Sequence, residues 1–183
     1  MHPRLLDQTR ALLLVVDLQE AFRKTLHEWE RTLARACVLI RGAHLLELPV
    51  VYTEQYPKGL GATVPEVREA LGDAQRFEKR TLSALGAPGL AQALARLGRN
   101  QVIVAGIETQ ACINQSVHEL LAAGYQVHLA EDAVSARRPS DHASALAKLL
   151  ASGAIGGSVE SMLFECLRSA DHPAFKSVQA LLK

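Results

Sequence analysis

The chain has 183 residues, of which 49% are hydrophobic and 21% charged, and its formal net charge is +1. A chain of this length can bury a substantial core as one domain, so we expect a single domain over residues 1–183. The near-neutral charge argues against nucleic acid as a partner. No apolar run approaches the ~18 residues that a membrane span needs, which argues against a membrane protein.

The N-terminal residues and the cysteines lead us to expect a reducing compartment. The N-terminus lacks the long apolar stretch and small-residue cleavage site of a signal peptide, so we expect a cytoplasmic protein. The cysteines are Cys37, Cys112 and Cys166. An odd number of cysteines without a Cys-x-x-Cys motif favours free thiols over a disulfide framework or a structural zinc site.

Short apolar runs alternate with longer helical patterns along the chain. The predicted elements, in chain order, are strand 11–16, helix 32–46, strand 50–53, a polar loop at 54–61, helix 65–71, strand 77–79, helix 89–97, strand 101–105, helix 110–123, strand 126–130, helix 139–151, a short strand at 154–155, and helices 159–167 and 173–182. Strands that alternate with helices form βαβ units. We therefore predict an α/β fold, with a mostly parallel sheet and helices on both faces.

Three polar residues stand at, or shortly after, the carboxyl ends of predicted strands. Asp17 follows the first strand, Lys79 ends the third, and Cys112 comes shortly after the fourth. Ligand sites in open α/β sheets form beyond these strand ends. We therefore predict that a carboxylate, an ammonium group and a thiol meet at one edge of the sheet.

The predicted position of Cys112 indicates a reactive thiol. Gly106 predicts a turn and Thr109 is a good N-cap residue, which places Cys112 in the first turn of the following helix. Free backbone N–H groups and the helix dipole favour an anion there. A lysine cation about 4 Å away would add roughly 4 kcal/mol of Coulomb attraction at an effective dielectric near 20. The pattern thus predicts a thiol pKa lowered from about 8.5, with Asp17 as general base.

Each of the three residues also has a purely structural interpretation. An aspartate at a strand end often caps a loop, and a lysine after a short strand is usually solvated. A cysteine in a cytosolic helix usually packs as a small hydrophobe, and Cys37 and Cys166 fit that description. Spacing alone leaves both interpretations open.

A family resemblance favours the catalytic interpretation. Asp17-Leu-Gln19, Lys79 with Ser83 four residues later, and Gly106-Ile-Glu-Thr-Gln-Ala-Cys112 together resemble the isochorismatase-like cysteine hydrolase family. Within the family the chain is most similar to the branch of isochorismatase domain-containing protein 2, on further segments such as Glu131-Asp-Ala-Val-Ser135. The similarity extends from about Leu12 to the end of the chain.

The resemblance implies both a fold and a mechanism. The fold would be a three-layer α/β/α sandwich around a six-stranded sheet, which is isochorismatase-like and Rossmann-like. Asp17 would be the base, Lys79 its partner and Cys112 the nucleophile, without a cofactor. A cis peptide between Ile107 and Glu108 would direct the N–H groups of Glu108 and Cys112 into an oxyanion hole.

The resemblance also implies what the site lacks and how the protein assembles. Nicotinamidases of this superfamily have an Asp/His metal cluster after strand two. Residues Glu54–Lys58 contain no histidine, so we predict no metal. We expect a small-molecule substrate, with Phe22, Tyr56 and Glu108 as substrate-binding candidates. We also expect a homo-oligomer.

Four functions remain open from the sequence. The first is hydrolysis of a small amide or related C–N bond through a thioacyl-enzyme intermediate. The second is a scaffold or partner-binding protein that keeps the three residues but turns over little substrate. The third is hydrolysis of a vinyl ether, as in isochorismatases, and the fourth is a thiol redox sensor, which lacks an evident resolving cysteine. Nucleotide binding is disfavoured because no glycine-rich loop follows the first strand.

Overall fold

The computed structural model describes residues 2–183 and contains a six-stranded sheet. The strands are β1 (Ala11–Val16), β2 (Val50–Gln55), β3 (Gln75–Lys79), β4 (Gln101–Ile107), β5 (Gln126–Ser135) and β6 (Ile155–Gly157). They lie in the order β3-β2-β1-β4-β5-β6, and every pair is parallel. The predicted α/β fold is confirmed.

Within residues 2–183, eight α-helices connect and cover these strands. They are α1 (Trp29–Leu45), α2 (Pro57–Leu60), α3 (Pro65–Leu71), α4 (Leu90–Leu97), α5 (Asn114–Ala122), α6 (Pro139–Ala151), α7 (Val159–Leu167) and α8 (Phe175–Leu181). Helices α3, α6 and α7 have the predicted bounds, and most other elements differ by a few residues at their ends. No helix within residues 2–183 is long and apolar enough to cross a membrane.

Strand β1 shows why the sheet is covered on both faces. All six of its residues are buried, and its side chains alternate between two hydrophobic cores. Leu13 belongs to the core formed with α1, α3, α7 and α8, whereas Leu14 belongs to the core formed with α4, α5 and α6. A strand that is buried on both faces needs apolar side chains at every position. The three-layer α/β/α sandwich is therefore confirmed.

The predicted polar loop at residues 54–61 is partly wrong. Glu54 and Gln55 extend β2, and Pro57–Leu60 forms the short helix α2. Glu54 can be buried because its carboxylate accepts from the N–H and hydroxyl of Thr63, and pairs with Arg76 at 3.0 Å. These partners come from other segments, so polarity in the sequence alone does not reveal the strand.

The strand order reverses between β1 and β4. The chain proceeds outward from β1 to β2 and β3, then returns to place β4 on the other side of β1. Such a switch point opens a crevice beyond the carboxyl ends of the strands. Asp17 follows β1 and Cys112 follows β4, so the two residues flank this crevice.

Gly106 sets how closely β4 approaches β1 at this point. Its φ is +118°, and a Cβ there would lie 2.0 Å from the carbonyl oxygen of Val16, the residue before Asp17.

We expect Gly106→Ala to lower the free energy of unfolding by about 3 kcal/mol or more, because the added Cβ would clash with the backbone of Val16. Urea denaturation measures the change.

Gly98→Ala is the matched control. Gly98 also has a positive φ, +64°, but nothing lies within 4 Å of the added Cβ. The control should cost only the ~1–2 kcal/mol of a left-handed conformation. Equal losses in the two variants would contradict the close-approach explanation.

Candidate active site

Asp17 lies directly after β1 and is 1% exposed. Its φ of 55° is in the left-handed region, which non-glycine residues seldom adopt and which is often found at functional sites. The hydroxyl of Thr53, on β2, donates to Asp17 Oδ1 at 2.7 Å. The carboxylate is thus held by the neighbouring strand.

Lys79 reaches this carboxylate from two strands away. It ends β3, and β2 lies between β3 and β1, so the ammonium has to cross roughly two strand spacings of about 4.8 Å. Only a long side chain can do this. Lys79 Nζ lies 2.6 Å from Asp17 Oδ2, and the lysine side chain is fully buried.

The same ammonium also contacts the thiol of Cys112 and three further oxygen atoms. Lys79 Nζ donates to Cys112 Sγ at 3.3 Å and to Gln55 Oε1 at 2.6 Å. The carbonyl oxygens of Thr81 and Leu82 lie 3.2 and 3.0 Å from it. The structure therefore brings Asp17, Lys79 and Cys112 together, as the sequence predicted.

Cys112 lies in a π-helical turn, Thr109–Ile113, between β4 and α5. The prediction that Thr109 caps a regular helix is wrong. The residue before the turn is Glu108, and the Thr109 hydroxyl is hydrogen-bonded to Nδ1 of His142 at 2.9 Å. Instead, the carbonyl of Glu108 accepts from the N–H groups of Ala111 and Ile113. Single π turns are often found at functional sites.

The peptide bond between Ile107 and Glu108 is cis. The resemblance implied this bond, and it lies where β4 passes into the π turn. The assignment of the Glu108 and Cys112 N–H groups to an oxyanion hole stays a prediction.

The expected lowering of the Cys112 pKa is wrong for the resting site. Burial, followed by the negative charge of Asp17, raises the pKa of this thiol to about 12. Lys79 acts in the opposite direction but is itself neutralised by Asp17. The resting cysteine is therefore a neutral thiol beside an ion pair, and it needs a base to become a nucleophile.

The three candidate substrate-binding residues lie in different surroundings. Tyr56 is 40% exposed and stacks under the guanidinium of Arg80, at the edge of a cavity of about 300 Å³ that Lys79 also lines. Glu108 is nearly buried, and its carboxylate accepts from Arg137 at 2.8 Å. Phe22 packs half-buried against the core on the α1 face. Substrate binding by these residues stays a prediction.

Sequence reasoning missed several polar residues that support the site. Thr53 and Gln55 contact Asp17 and Lys79, and Gln19 ties Gln55 to the next loop through its side-chain amide. A usable signal was present, since polar residues end the apolar run of β2. Their partners come from β1 and β3, which a reading of β2 alone could not identify.

Within residues 2–183 no group of three or more histidine, cysteine, aspartate or glutamate side chains is placed to hold a metal ion. The absence of a metal from the function stays a prediction.

Comparison with known families decides the family. The isochorismatase domain matches residues 11–161, which is most of the chain. The chain belongs to the isochorismatase family. The predicted resemblance is thereby confirmed.

Relatives and solved structures agree with this assignment. Isochorismatase domain-containing protein 2 of Danio rerio is 37% identical over 173 residues, covering 94% of this chain and 86% of its own. The MAR1 ribonuclease structure from Caenorhabditis elegans is 35% identical, with a TM-score of 0.92 over 97% of this chain and 91% of its own. The YcaC gene product of Escherichia coli, an octameric hydrolase of unknown specificity, has a TM-score of 0.90 at 22% identity, over 97% of this chain and 90% of its own.

The protonation state of the Cys112 thiol in this isochorismatase-family protein can be tested without a substrate. We expect Asp17→Asn to lower the Cys112 pKa, because it removes a negative charge and leaves Lys79 beside the sulfur. Alkylation by iodoacetamide at pH 8 should then be at least about tenfold faster than in the wild type, since one pKa unit changes the thiolate fraction tenfold. Peptide mass spectrometry measures the rate at each cysteine.

Cys37 and Cys166 are internal references, because burial raises the pKa of both thiols and neither lies at this site. Asp171→Asn, at an exposed aspartate, is the matched control. An unchanged or slower rate at Cys112 in Asp17→Asn would contradict the assignment of Asp17 as the dominant charge on the thiol.

Proposed function

We propose that this chain is a single-domain cysteine hydrolase that cleaves a small amide or a related C–N bond through a thioacyl-enzyme intermediate. One observation carries the proposal. A single buried ammonium, Lys79 Nζ, lies 2.6 Å from a carboxylate oxygen of Asp17 and 3.3 Å from the sulfur of Cys112. A base, a cation and a nucleophile thus share one site at a switch point of the sheet.

The first step follows from the charges. Asp17 takes the thiol proton as Cys112 Sγ attacks the carbonyl carbon of the substrate, which moves one negative charge from the carboxylate to the sulfur. Lys79 contacts both groups, so the positive charge stays beside the anion throughout the transfer. The raised thiol pKa makes this base necessary.

The second step breaks the C–N bond. The tetrahedral intermediate carries an oxyanion, for which the backbone N–H groups of Glu108 and Cys112 are the proposed donors. Collapse of the intermediate expels the amine, which receives the proton from Asp17, and leaves an acyl group on Sγ. Water, deprotonated by the same carboxylate, then attacks the thioester; the C–S bond breaks, the acid is released, and the proton on Asp17 returns to the Cys112 sulfur.

The surroundings of Lys79 favour a substrate with an apolar or planar acyl group. The cavity of about 300 Å³ beside it is lined by Tyr56, Pro57, Pro88 and the stacked Arg80. Aromatic and proline side chains give flat apolar contact, whereas a guanidinium donates hydrogen bonds to a carbonyl or carboxylate oxygen. We therefore include aromatic and short aliphatic amides in the substrate set.

A catalytically weak, partner-binding protein is the second candidate. Two features favour it: Cys112 is only 8% exposed, and burial raises the pKa of its thiol to about 12. Such a protein would bind its partner equally well with or without the sulfur. No comparable structural feature favours vinyl ether hydrolysis or redox sensing.

The name of one similar structure suggests a further test. The Caenorhabditis elegans protein is called a ribonuclease, so an RNA substrate belongs in the screen, although we expect no nucleic acid partner at a net charge of +1. We also propose a cytoplasmic location.

The mechanism predicts which substitutions abolish hydrolysis. In a screen of small amides, Cys112→Ser should lower kcat/KM by at least about a thousandfold, because the serine hydroxyl is a weaker nucleophile than the thiol that it replaces. Cys37→Ser is the matched control and should retain activity, since Cys37 lies in α1, outside the site. Acid quenching followed by mass spectrometry should find the acyl group on the Cys112 peptide.

Two results would contradict the proposal. Turnover that survives Cys112→Ser would exclude a thioacyl route. No turnover of any amide, together with partner binding that is unaffected by Cys112→Ser, would favour the second candidate.

We also propose that the chain forms a homo-oligomer, as described for the octameric Escherichia coli protein. Light scattering coupled to size-exclusion chromatography should give a multiple of the protomer mass at micromolar concentration. A mass equal to one protomer would refute this.

A further inference from the structure

The segment after Lys79 is wrapped around the ammonium group. We call residues 80–84 the lysine loop. Its carbonyls at Thr81 and Leu82 lie 3.2 and 3.0 Å from Lys79 Nζ. Inside the loop the hydroxyl of Thr81 donates to the carbonyl of Ser83 at 2.8 Å. A shift of this loop therefore shifts the oxygens that hold the ammonium.

One buried hydroxyl joins the lysine loop to the turn that carries the nucleophile. Ser116 lies in α5, four residues after Cys112, and is 0% exposed. Its Oγ donates to the carbonyl oxygen of Cys112 at 2.6 Å and accepts from the N–H of Ala84 at 2.8 Å. The hydroxyl therefore donates to the turn that carries Cys112 and accepts from the lysine loop.

A second contact lies one turn further along α5, nearer the surface. The carboxylate of Glu119 accepts from the hydroxyl of Ser83, which also accepts from the N–H of Leu85 at 3.2 Å. Glu119 is exposed, whereas Ser116 is enclosed. Water can compete for the outer contact but not for the inner one, so the inner contact holds the loop more firmly.

We propose that Ser116 is a positioning residue that sets the distance between Lys79 Nζ and Cys112 Sγ. This inference rests on the proposed function, because it assigns Ser116 to the same site. The sheet register fixes Asp17 and Lys79 relative to each other, since both residues end paired strands or directly follow them. Cys112 lies beyond β4, in the π turn, where no strand pairing holds it.

Loss of the hydroxyl has a defined consequence. Without Ser116 Oγ, the buried N–H of Ala84 loses its acceptor, and the carbonyl of Cys112 loses a donor. The outer contact of Ser83 with Glu119 remains but holds the lysine loop less firmly, so the loop can move away from α5. Lys79 follows its carbonyl ligands, and the ammonium moves away from the sulfur.

The test compares Ser116→Val with Ser116→Thr. The two side chains have the same shape, and only threonine keeps the hydroxyl. Both are made in the Asp17→Asn background, where Lys79 is the dominant charge on the thiol. We expect the valine variant to raise the Cys112 pKa by at least about half a unit, and so to slow alkylation at least about threefold below that pKa, whereas the threonine variant stays near the background value.

Ser152→Ala is the control for loss of a helical serine bond. Ser152 Oγ also donates to the carbonyl four residues earlier, Lys148, at the far end of α6, and its other contact is an exposed one with Nε2 of His118 on α5. It should leave the Cys112 profile unchanged. Equal profiles for the valine and threonine variants would overturn the proposal.

The kinetic readout separates this inference from the proposed function. With an active amide, Ser116→Val in the otherwise wild-type chain should lower kcat at least about tenfold and change KM less than about twofold. If no substrate is found, the proposed function fails while the alkylation profile still tests the positioning. If Ser116→Val does not fold, Ser116→Ala, which also lacks the hydroxyl and is smaller, replaces it in the same alkylation test; an unchanged profile would then overturn the inference.

Discussion

The buried ion pair between Asp17 and Lys79 is the constraint on which the rest of the site depends. Two opposite charges, each at most 2% exposed, lie 2.6 Å apart beside the thiol. Removing one member of such a pair leaves the other charge buried alone, which costs about 3–5 kcal/mol. The pair is therefore tied to the integrity of the fold as well as to the chemistry, and Thr53 and Gln55 complete its hydrogen bonding.

Pairing also determines the state of the nucleophile. A lone lysine would stabilise a thiolate, but a lysine that is already neutralised by a carboxylate does so much less. Burial raises the pKa of the Cys112 thiol to about 12, and the charge of Asp17 acts in the same direction, so the thiol stays protonated. In the proposed mechanism, proton transfer to Asp17 would exchange one ion pair for another around the same ammonium, so the buried region would not contain an unbalanced charge.

Three layers of support position the reacting groups. Parallel pairing of β1, β2 and β3 places Asp17 and Lys79. The close approach of β4 to β1 at Gly106 places the start of the π turn. The link through Ser116 connects that turn to the lysine loop. Only the first of these layers follows from regular secondary structure, and the other two depend on single residues.

The sequence by itself determined the architecture and the identity of the three central residues. Apolar runs such as Ala11–Val16 predicted buried strands, and their alternation with helices predicted a mostly parallel sheet with helices on both faces. The polar residues at strand ends predicted where a site could lie, and the family resemblance singled out Asp17, Lys79 and Cys112 there. Only the tertiary structure revealed the π turn, the hydrogen bond between Thr109 and His142, and the extension of β2. It also decided that the pKa of Cys112 is raised rather than lowered. The reason is physical: periodicity is a local property of the chain, whereas burial, charge balance and hydrogen-bond partners come from segments far apart in sequence.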